Sequence, residues 1–344
     1  MIGGGFSGLS AAAWLGRMAP GKKIVLVEAD KIGAGASGRT GGMTLAETAG
    51  GDLPELGDVL FGFEEILRDL EIRCDFRSHG TWELGRKKAQ RRSEILWTDS
   101  GKLRVVRQVP GGTVDAGKLL GGLARAAAAA KVTILEGRAV TRLRYGRKIR
   151  VMMGAKEILA GAVLIATNAE SLELSDLQDR AVPKLTMAVA TDALTGRVVK
   201  AIGLASRRPF YTVDLPYLWG RLTKDRRAIF GSGLITVRDW KGLHALDVNT
   251  GHAAASLETL KARVRGLHPA LRNVKFTHAW GGPILLTERA RPIFIRVRTR
   301  DAGRAKNLIY LGGYNGHGVA LSVYLGRWAA EALLGRRKLP RWNR

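Results

Sequence analysis

A glycine pattern at the start of the chain has the spacing that binds phosphate. Gly3, Gly5 and Gly8 form G-x-G-x-x-G, and Glu28 follows 20 residues after the last glycine. In such a pattern the first glycine permits a tight turn, the second removes a Cβ that would block a pyrophosphate, and the third lets a helix approach a strand. An acid at this distance can accept hydrogen bonds from a ribose. These four residues predict a dinucleotide site.

The elements around the glycines have the order that this site requires. Residues 9–15 are good helix formers, Pro20-Gly21 ends the helix, and the apolar run 24–27 indicates a short buried strand. The start of the helix would then direct free N–H groups at a diphosphate. Only two residues precede Gly3, whereas a strand that carries this turn usually needs about five. Either the sequence begins late, through a misplaced start or a truncation, or the central strand is shortened. If the chain is complete, we expect weak retention of the cofactor.

Glycine is concentrated in two further segments. Residues 33–42 read GAGASGRTGG and are too rich in glycine for a helix interior, so we expect a loop that exposes its backbone. Near the end of the chain, a predicted strand at 307–311 precedes a glycine loop at 312–318 and an amphipathic helix at 319–334. The order of strand, glycine loop and helix therefore occurs at both ends of the chain.

The rest of the chain divides into helical and strand patterns. Residues 181–240 change to period two, with turn chemistry at Lys224-Asp225, which predicts a sheet-rich second domain. The other predicted elements are helices at 56–72 and 118–130, strands at 132–135 and 162–169, and a hairpin made of 140–150 and 151–159.

Composition limits the class of protein. The 344 residues are 46% hydrophobic, which excludes a disordered chain and suffices for two domains. The net charge is +26, and the segment 259–344 holds eighteen basic against three acidic side chains. Such a balance is typical of proteins that meet nucleic acid, an acidic partner or an anionic cofactor, and also of any protein from a basic proteome.

The single cysteine and the hydropathy pattern predict the compartment. Cys74 alone excludes an internal disulfide and a multi-cysteine metal centre, and we expect no metal. No stretch reaches the roughly 18 apolar residues that a membrane helix needs, and the opening lacks the features of a secretion signal. We therefore expect a cytoplasmic protein without a membrane span, and the sequence leaves its oligomeric state open.

Several motifs occur together in a fixed order. Besides the opening glycines and Glu28, they are 35–42 (GASGRTGG), 109–115 (VPGGTVD), 166–169 (ATNA), 277–282 (THAWGG) and 313–318 (GYNGHG). This combination resembles the FAD-dependent amine and D-amino-acid oxidase (DAO) family, which includes glycine oxidase, sarcosine oxidase and γ-glutamylputrescine oxidase-like enzymes. The similarity extends over nearly the whole chain.

The resemblance implies an α/β fold and FAD rather than NAD as cofactor. A Rossmann-like FAD-binding domain would be discontinuous, and a second, mainly antiparallel-sheet substrate domain would cover the flavin. The expected segments are 1–50, 110–170 and 285–344 for the FAD-binding domain and 51–109 and 171–284 for the substrate domain.

The resemblance also implies roles for particular residues. Gly3, Gly5 and Gly8 would meet the pyrophosphate, and Glu28 the adenosine ribose. N–H groups at the start of the final helix would stabilise negative charge on the reduced flavin. The remaining implied contacts are Ser37, Gly38 and Arg39 near the pyrophosphate and flavin, Val140 at the adenine through its backbone, and Gly313, Gly316, His317 and Gly318 at the pyrimidine side of the ring.

Two residues are candidates for contact with the substrate. Arg221 shares a period-two strand with Tyr217 and Trp219, which suits a carboxylate clamp with aromatic walls, although a solvated strand arginine has the same pattern. His317 lies inside the matching glycine loop, so we expect it close to the flavin, the alternative being simple loop packing.

The implied reaction is oxidation of the C–N bond of a small amine or amino acid to an imine, with oxygen or another acceptor reoxidising the flavin. A strong acid–base motif is not needed because the cofactor performs the difficult step. Two alternatives stay open: a flavin oxidoreductase that modifies tRNA, which would use the basic surface, and a truncated, non-catalytic homologue. Small substrates are favoured over nucleic acid because the basic clusters are not interleaved with aromatic residues.

Overall fold

The computed structural model describes residues 1–53, 55–87, 92–170, 172–236, 248–299 and 303–343. The end of the predicted period-two segment, 237–240, lies outside these ranges. The helices are α1 (Phe6–Met18), α2 (Val59–Asp69), α3 (Ala116–Ala129), α4 (Gly196–Ala201), α5 (Gly251–Leu267) and α6 (Gly318–Leu333). The strands are β1 (Val25–Val27), β2 (Met43–Leu45), β3 (Thr81–Gly85), β4 (Trp97–Thr98), β5 (Lys102–Val109), β6 (Gly111–Thr113), β7 (Thr133–Leu135), β8 (Arg142–Arg144), β9 (Ile149–Met153), β10 (Lys156–Ala160), β11 (Val163–Ile165), β12 (Ala181–Ala193), β13 (Phe210–Thr212), β14 (Trp219–Leu222), β15 (Arg227–Thr236), β16 (Phe276–Thr287), β17 (Ile293–Thr299) and β18 (Gly303–Gly312).

The first sheet is built from both ends of the chain. Its order is β7, β1, Ile2, β11, β18 and β17, and only the β17–β18 pair is antiparallel. Ile2 forms parallel bridges to Val27 on one side and Ile165 on the other. Its N–H donates to Leu164 (2.9 Å) and its carbonyl accepts from Ala166 (2.8 Å). This one residue joins the two halves of the sheet.

Small residues let α1 lie buried between the sheet and the last helix. Most of α1 is buried, including a run of three alanines. The Ser10 hydroxyl donates to the carbonyl of Val323 in α6 (2.7 Å). A Cβ on Gly326 of α6 would lie 2.7 Å from the backbone oxygen of Ser7, so only glycine permits this crossing. The small residues of α1 and Gly326 therefore let the first turn of α1 pack directly on the middle of α6.

The second sheet is mainly antiparallel. Its eight described strands have the order β16, β12, β15, β14, β13, β3, β5 and β4, and only β13 and β3 pair in parallel. Trp97 of β4 packs edge-on against Phe210 of β13, with ring centroids 4.9 Å apart, and both rings also pack against Phe230 of β15. The predicted α/β fold with a second, sheet-rich region is confirmed. The domain boundaries stay a prediction, and β16 crosses the one expected at 284/285.

One predicted element is wrong. The expected hairpin of 140–150 with 151–159 is a three-stranded meander of β8, β9 and β10. Ile149 and Val151 are buried on either side of the exposed Arg150, so the alternation continues through the position where the turn was expected. The second turn occurs at Gly154, whose φ of +62° suits glycine.

Candidate cofactor and substrate site

The opening glycines are required by contacts within the protein. Gly3 has a φ of +104°, and a Cβ there would lie 2.7 Å from the carbonyl oxygen of Ala166. A Cβ on Gly8 would overlap the carbonyl oxygen of Gly3. The turn therefore folds onto the end of β11 and onto itself, which holds the first residues of α1 directly after the central strand.

Ser37 is the nearest neighbour of the second glycine. A Cβ on Gly5 would lie 2.9 Å from Ser37 Oγ, and the same oxygen accepts a hydrogen bond from the N–H of Phe6 (3.0 Å). Gly5 is the N-cap of α1 and has no side chain with which to cap it. The hydroxyl of Ser37 therefore stands at the start of α1, where we expected the pyrophosphate contact.

Glu28 is fixed beside the same turn. One carboxylate oxygen accepts from the N–H of Gly4 (2.6 Å) and the other from the N–H of Asp30 (3.0 Å). Val140 is 9% exposed and belongs to the core that also contains Ile2 and Val27. The ribose role of Glu28 and the adenine role of Val140 stay predictions.

Arg39 connects the second glycine segment to the second sheet. Its Nε donates to Ala34 (3.0 Å) and its Nη1 to the carbonyl of Gly281 in β16 (3.3 Å). The indole N–H of Trp280 donates in return to the carbonyl of Arg39 (2.9 Å). Gly38 is needed because a Cβ there would overlap the carbonyl of Gly33. This loop therefore places the 35–42 motif against the 277–282 motif.

The C-terminal glycine loop is held at its base. Asn315 has a φ of +55°; its Oδ1 accepts from the N–H of Thr287 (2.8 Å) and its Nδ2 donates to the carbonyl of Gly313 (2.7 Å). Gly316 is exposed, has a φ of +87° and has open space around the position of a Cβ. Gly318 is the first residue of α6, whose N-cap, His317, makes no side-chain cap hydrogen bond.

These two helix starts lie next to each other. The hydroxyl of Ser7 in the first turn of α1 and that of Tyr314 in the C-terminal loop are hydrogen-bonded at 2.6 Å. Neither N-cap residue places its own side chain on the N–H groups of its helix, although Ser37 Oγ accepts from the N–H of Phe6 in α1 (3.0 Å). Free N–H groups at helix starts bind anions. Gly35 and Gly316 leave open space nearby. The arrangement fits a cofactor with a diphosphate and a ring that becomes negative on reduction.

His317 faces the second sheet from this loop. Its ring packs edge-on against Tyr211 of β13, with centroids 6.3 Å apart. Burial lowers the pKa of His317, and the carbonyl of Asn315, 3.4 Å from Nδ1, only partly opposes this. The imidazole is therefore neutral at neutral pH and adds no cationic charge to the site.

Arg221 of β14 is half-buried against the residues that flank β2 and β6 rather than on an open strand face. Its Nη1 donates to the carbonyl of Val114 (2.9 Å), and its Nε is buried without a hydrogen-bond partner in the described part of the chain. A Cβ on Gly42 would lie 3.3 Å from its Nη2. Burial lowers the pKa of Arg221, although Asp115 opposes this. A buried donor without a partner suits a ligand acceptor, so the clamp remains our prediction.

The sequence did not reveal a polar group on the second sheet. The Tyr211 hydroxyl donates to Glu83 Oε1 (2.6 Å), and Arg107 forms an ion pair with the same carboxylate (2.5 Å). Glu47 Oε1 lies 3.3 Å from the Tyr211 oxygen. The spacing of these four residues along the sequence does not indicate that their side chains meet. The only signal is a glutamate inside the strand pattern Thr81-Trp82-Glu83-Leu84.

The described residues contain neither a membrane-spanning helix nor a cluster of metal ligands. No helix among them is long and apolar enough to cross a membrane. No group of three or more histidine, cysteine, aspartate or glutamate side chains among them has the arrangement of a metal site.

Known proteins resemble this chain over almost its full length. The chain is 27% identical to the γ-glutamylputrescine oxidoreductase of Escherichia coli, an alignment that covers 97% of this chain and 83% of that protein. It is 26% identical to the probable oxidoreductase OrdL of Haemophilus influenzae, over 97% of this chain and 82% of that protein.

Solved structures share the fold. Glycine oxidase from Geobacillus kaustophilus superposes with a TM-score of 0.76 at 17% identity, over 98% of this chain and 94% of that chain. Iminodiacetate oxidase from Chelativorans superposes with a TM-score of 0.73 at 16% identity, over 99% and 97%. The predicted two-part flavoenzyme fold is thereby confirmed.

The family model described as FAD dependent oxidoreductase (DAO) matches residues 1–332. This range includes both helix starts, the bridging Arg39 and the glycine loop that carries His317. The chain therefore belongs to the DAO family of FAD-dependent oxidoreductases.

Proposed function

We propose that this FAD-dependent oxidoreductase oxidises the C–N bond of a small amine or amino acid to an imine, with oxygen or another acceptor reoxidising the cofactor. The observation that carries the proposal is the hydrogen bond between Ser7 and Tyr314, because it brings the starts of α1 and α6 together. The named relatives act on nitrogen-containing compounds such as glycine, iminodiacetate and γ-glutamylputrescine.

The cofactor, when bound, supplies the acceptor for the hydride equivalent. Residues at the start of α1, with Ser37 and Arg39, would hold its diphosphate, and the N–H groups after His317 would face the ring. The protein's own task is to align the substrate C–H bond and exclude water. Arg221 would bind a substrate carboxylate through its buried Nε, which has no hydrogen-bond partner among the described residues. The neutral His317 would leave the amine free of a competing cation.

The first experiment measures the cofactor and its reduction. Purified protein is loaded with FAD, mixed without oxygen with a panel of amines, diamines and amino acids, and followed by the loss of the oxidised flavin band. We expect at least one class to reduce the flavin. A loaded protein that no member of the panel reduces would contradict the proposal and would favour the non-catalytic alternative.

A matched pair of variants tests the clamp. Arg221→Met removes the buried guanidinium, whereas Arg150→Met removes an exposed one that pairs with Glu157 on the meander. We expect Arg221→Met to weaken reduction by amino acids at least tenfold and to affect simple amines less. Arg150→Met should behave as wild type. Equal losses for both substrate classes would argue against a carboxylate contact.

The alternative of a tRNA-modifying enzyme depends on the net charge of +26 alone. The relatives named above give it no support. A steep fall of tRNA affinity with salt would be needed to revive it. The cytoplasmic location stays a prediction.

A further inference from the structure

Three side chains form a hydrogen-bonded row across neighbouring strands of the second sheet. Tyr211 and Glu83 are directly opposite each other in the parallel pair of β13 and β3, and Glu83 and Arg107 are opposite each other in β3 and β5. Arg107 donates to both carboxylate oxygens of Glu83, at 2.5 and 3.0 Å. The row is therefore fixed by strand register.

Glu83 must act as the acceptor in this row. Its side chain is only 6% exposed. Burial alone would raise the pKa of Glu83, but the hydrogen bonds from Arg107 and Tyr211 outweigh burial and lower it. Burial and the carboxylate together raise the pKa of Tyr211, so its hydroxyl keeps its proton. That single proton is donated to Glu83 Oε1 at 2.6 Å.

The Tyr211 oxygen is left with lone pairs only, and a second acceptor faces it. Glu47 Oε1 lies 3.3 Å from the Tyr211 oxygen. Because a phenol has one proton, Tyr211 cannot donate fully to both carboxylates. The Tyr211 oxygen and Glu47 Oε1 are therefore two acceptors 3.3 Å apart, and one donor group that hydrogen-bonds to both would satisfy them.

This pair of acceptors lies next to the glycine loop that carries His317. The Tyr211 ring contacts His317 in the glycine loop and packs in a small cluster with Leu45, Val109 and Met43. Met43 directly follows Gly42, the last residue of the 35–42 motif, and Gly42 lies beside the guanidinium of Arg221. Glu47 is partly buried and follows β2 by two residues.

We propose that Tyr211 and Glu47 bind a cationic nitrogen of the substrate other than the one that is oxidised, and that Glu83 is the positioning residue that keeps the Tyr211 hydroxyl an acceptor. This inference rests on the proposed function, whose substrate class it narrows to a diamine or another amine with a second cationic nitrogen. The oxidised amine must be neutral to release a hydride equivalent, whereas the second nitrogen stays charged against Glu47.

The test compares 1,4-diaminobutane with butylamine on the FAD-loaded enzyme. Binding is measured without oxygen from the change in the flavin spectrum, and if either amine is oxidised, the ratio of kcat/KM values replaces the ratio of Kd values. We expect wild type to prefer the diamine at least tenfold. Tyr211→Phe and Glu47→Gln should each reduce that preference about tenfold, which corresponds to about 1.4 kcal/mol, with little change for butylamine. Glu157→Gln, an exposed carboxylate on the meander, serves as the control.

Glu83→Gln separates positioning from structure. The new amide oxygen would accept from Arg107 and the amide nitrogen would donate to the Tyr211 oxygen, which turns the phenol proton toward Glu47. We expect the diamine preference to disappear while binding of butylamine remains, and Glu83→Asp to restore part of it. A purely structural role would lower stability and affect both amines equally.

The outcomes are distinguishable. If the flavin is reduced by amines but Tyr211→Phe and Glu47→Gln keep the full diamine preference, or wild type has none, this inference is overturned and the proposed function stands. If amino acids reduce the flavin but neither amine reduces it or perturbs its spectrum, only this inference fails. If no member of the panel of amines, diamines and amino acids reduces the flavin, both fail together. If Glu83→Gln does not fold, the diamine preference of Tyr211→Phe and Glu47→Gln still tests the inference.

Discussion

The side-chain oxygen of Asn168 accepts a hydrogen bond from the backbone N–H of Gly313 at 2.9 Å. This bond ties the turn after β11 to the loop that leads into α6. The Tyr310 hydroxyl donates to the carbonyl of the same asparagine (2.9 Å), so the turn is held from two sides. Asn168 also has a φ of +52°, a conformation that asparagine tolerates better than most residues. The ATNA motif thus positions the loop that is expected to face the flavin.

Asn168→Ala should weaken FAD binding without unfolding the protein. The substitution removes the acceptor of Gly313 and places a less tolerant residue in a left-handed conformation, so the loop loses its fixed start. We expect Kd for FAD to rise about tenfold, or about 1.4 kcal/mol, in a fluorescence titration. Asn307→Ala is the matched control, because Asn307 Nδ2 donates to Gly161 at an exposed position. Equal Kd values for the two variants would remove Asn168 from the binding argument.

The double variant Gly5→Ala/Ser37→Ala tests why position 5 is glycine. A side chain at this position could clash with a bound ligand or only with the side chain of Ser37. The single variant Gly5→Ala places a Cβ 2.9 Å from Ser37 Oγ, a contact that the second change removes, leaving Ser37 Cβ at 3.8 Å. We expect the double variant to recover the thermal stability of Ser37→Ala. It should still bind FAD more weakly than Ser37→Ala alone, because the added methyl occupies space that the phosphates need. Full recovery of FAD affinity would assign Gly5 to protein packing only.

His317 should make stability depend on pH below neutrality. Burial lowers the pKa of His317 from its ordinary value of 6.5, so the unfolded chain takes up a proton at a higher pH than the folded protein does. Its contribution is therefore constant above about pH 6.5 and is lost as the pH falls below that value. Tm of the FAD-loaded protein measured from about pH 7 to about pH 5 should fall less steeply in His317→Gln than in wild type. His278→Gln, on the exposed part of β16, should retain the wild-type slope; an unchanged slope in His317→Gln would refute the assignment.

Asp99 should be essential for the stability of the second sheet region. Its side chain is 5% exposed and accepts from Arg86 (2.6 Å) and from Arg263 of α5 (2.6 Å). Asp99→Asn leaves Arg263 facing a neutral amide and leaves Arg86 with its ion pair to Asp214, and we expect a loss of about 3 kcal/mol in the free energy of unfolding by urea. Glu258→Gln breaks an exposed pair with Lys261 and should cost at most about 1 kcal/mol. Similar midpoints for both variants would show that the network contributes little.

Local patterns predicted the parts of the fold that depend on neighbouring residues. The helix after Gly8, the two glycine loops and the hairpin turn at Lys224-Asp225 follow from residue type and short-range spacing, and the structure confirms them. The resemblance supplied the two-part architecture, which local spacing alone does not specify.

Contacts between distant segments could not be read from the sequence. Tyr211 and Glu83 are 128 residues apart, and they meet only because β13 happens to pair in parallel with β3 in an otherwise antiparallel sheet. The bonds of Arg39 to Gly281 and of Asn168 to Gly313 likewise depend on how the sheets are assembled. The meander was mispredicted for a related reason, since continuous alternation in β9 conceals where its turns fall.

The order of strands in the first sheet has a consequence for synthesis of the protein in the cell. Residue 2 pairs with β1 and β11, but the strands β18 and β17 and the covering helix α6 are translated after all of the other described elements. The emerging chain must therefore carry the apolar faces of α1 and β11 without these neighbours until the three later segments have been made. Such delayed closure exposes a polypeptide to aggregation, so we expect yield to depend on chaperones and on growth temperature.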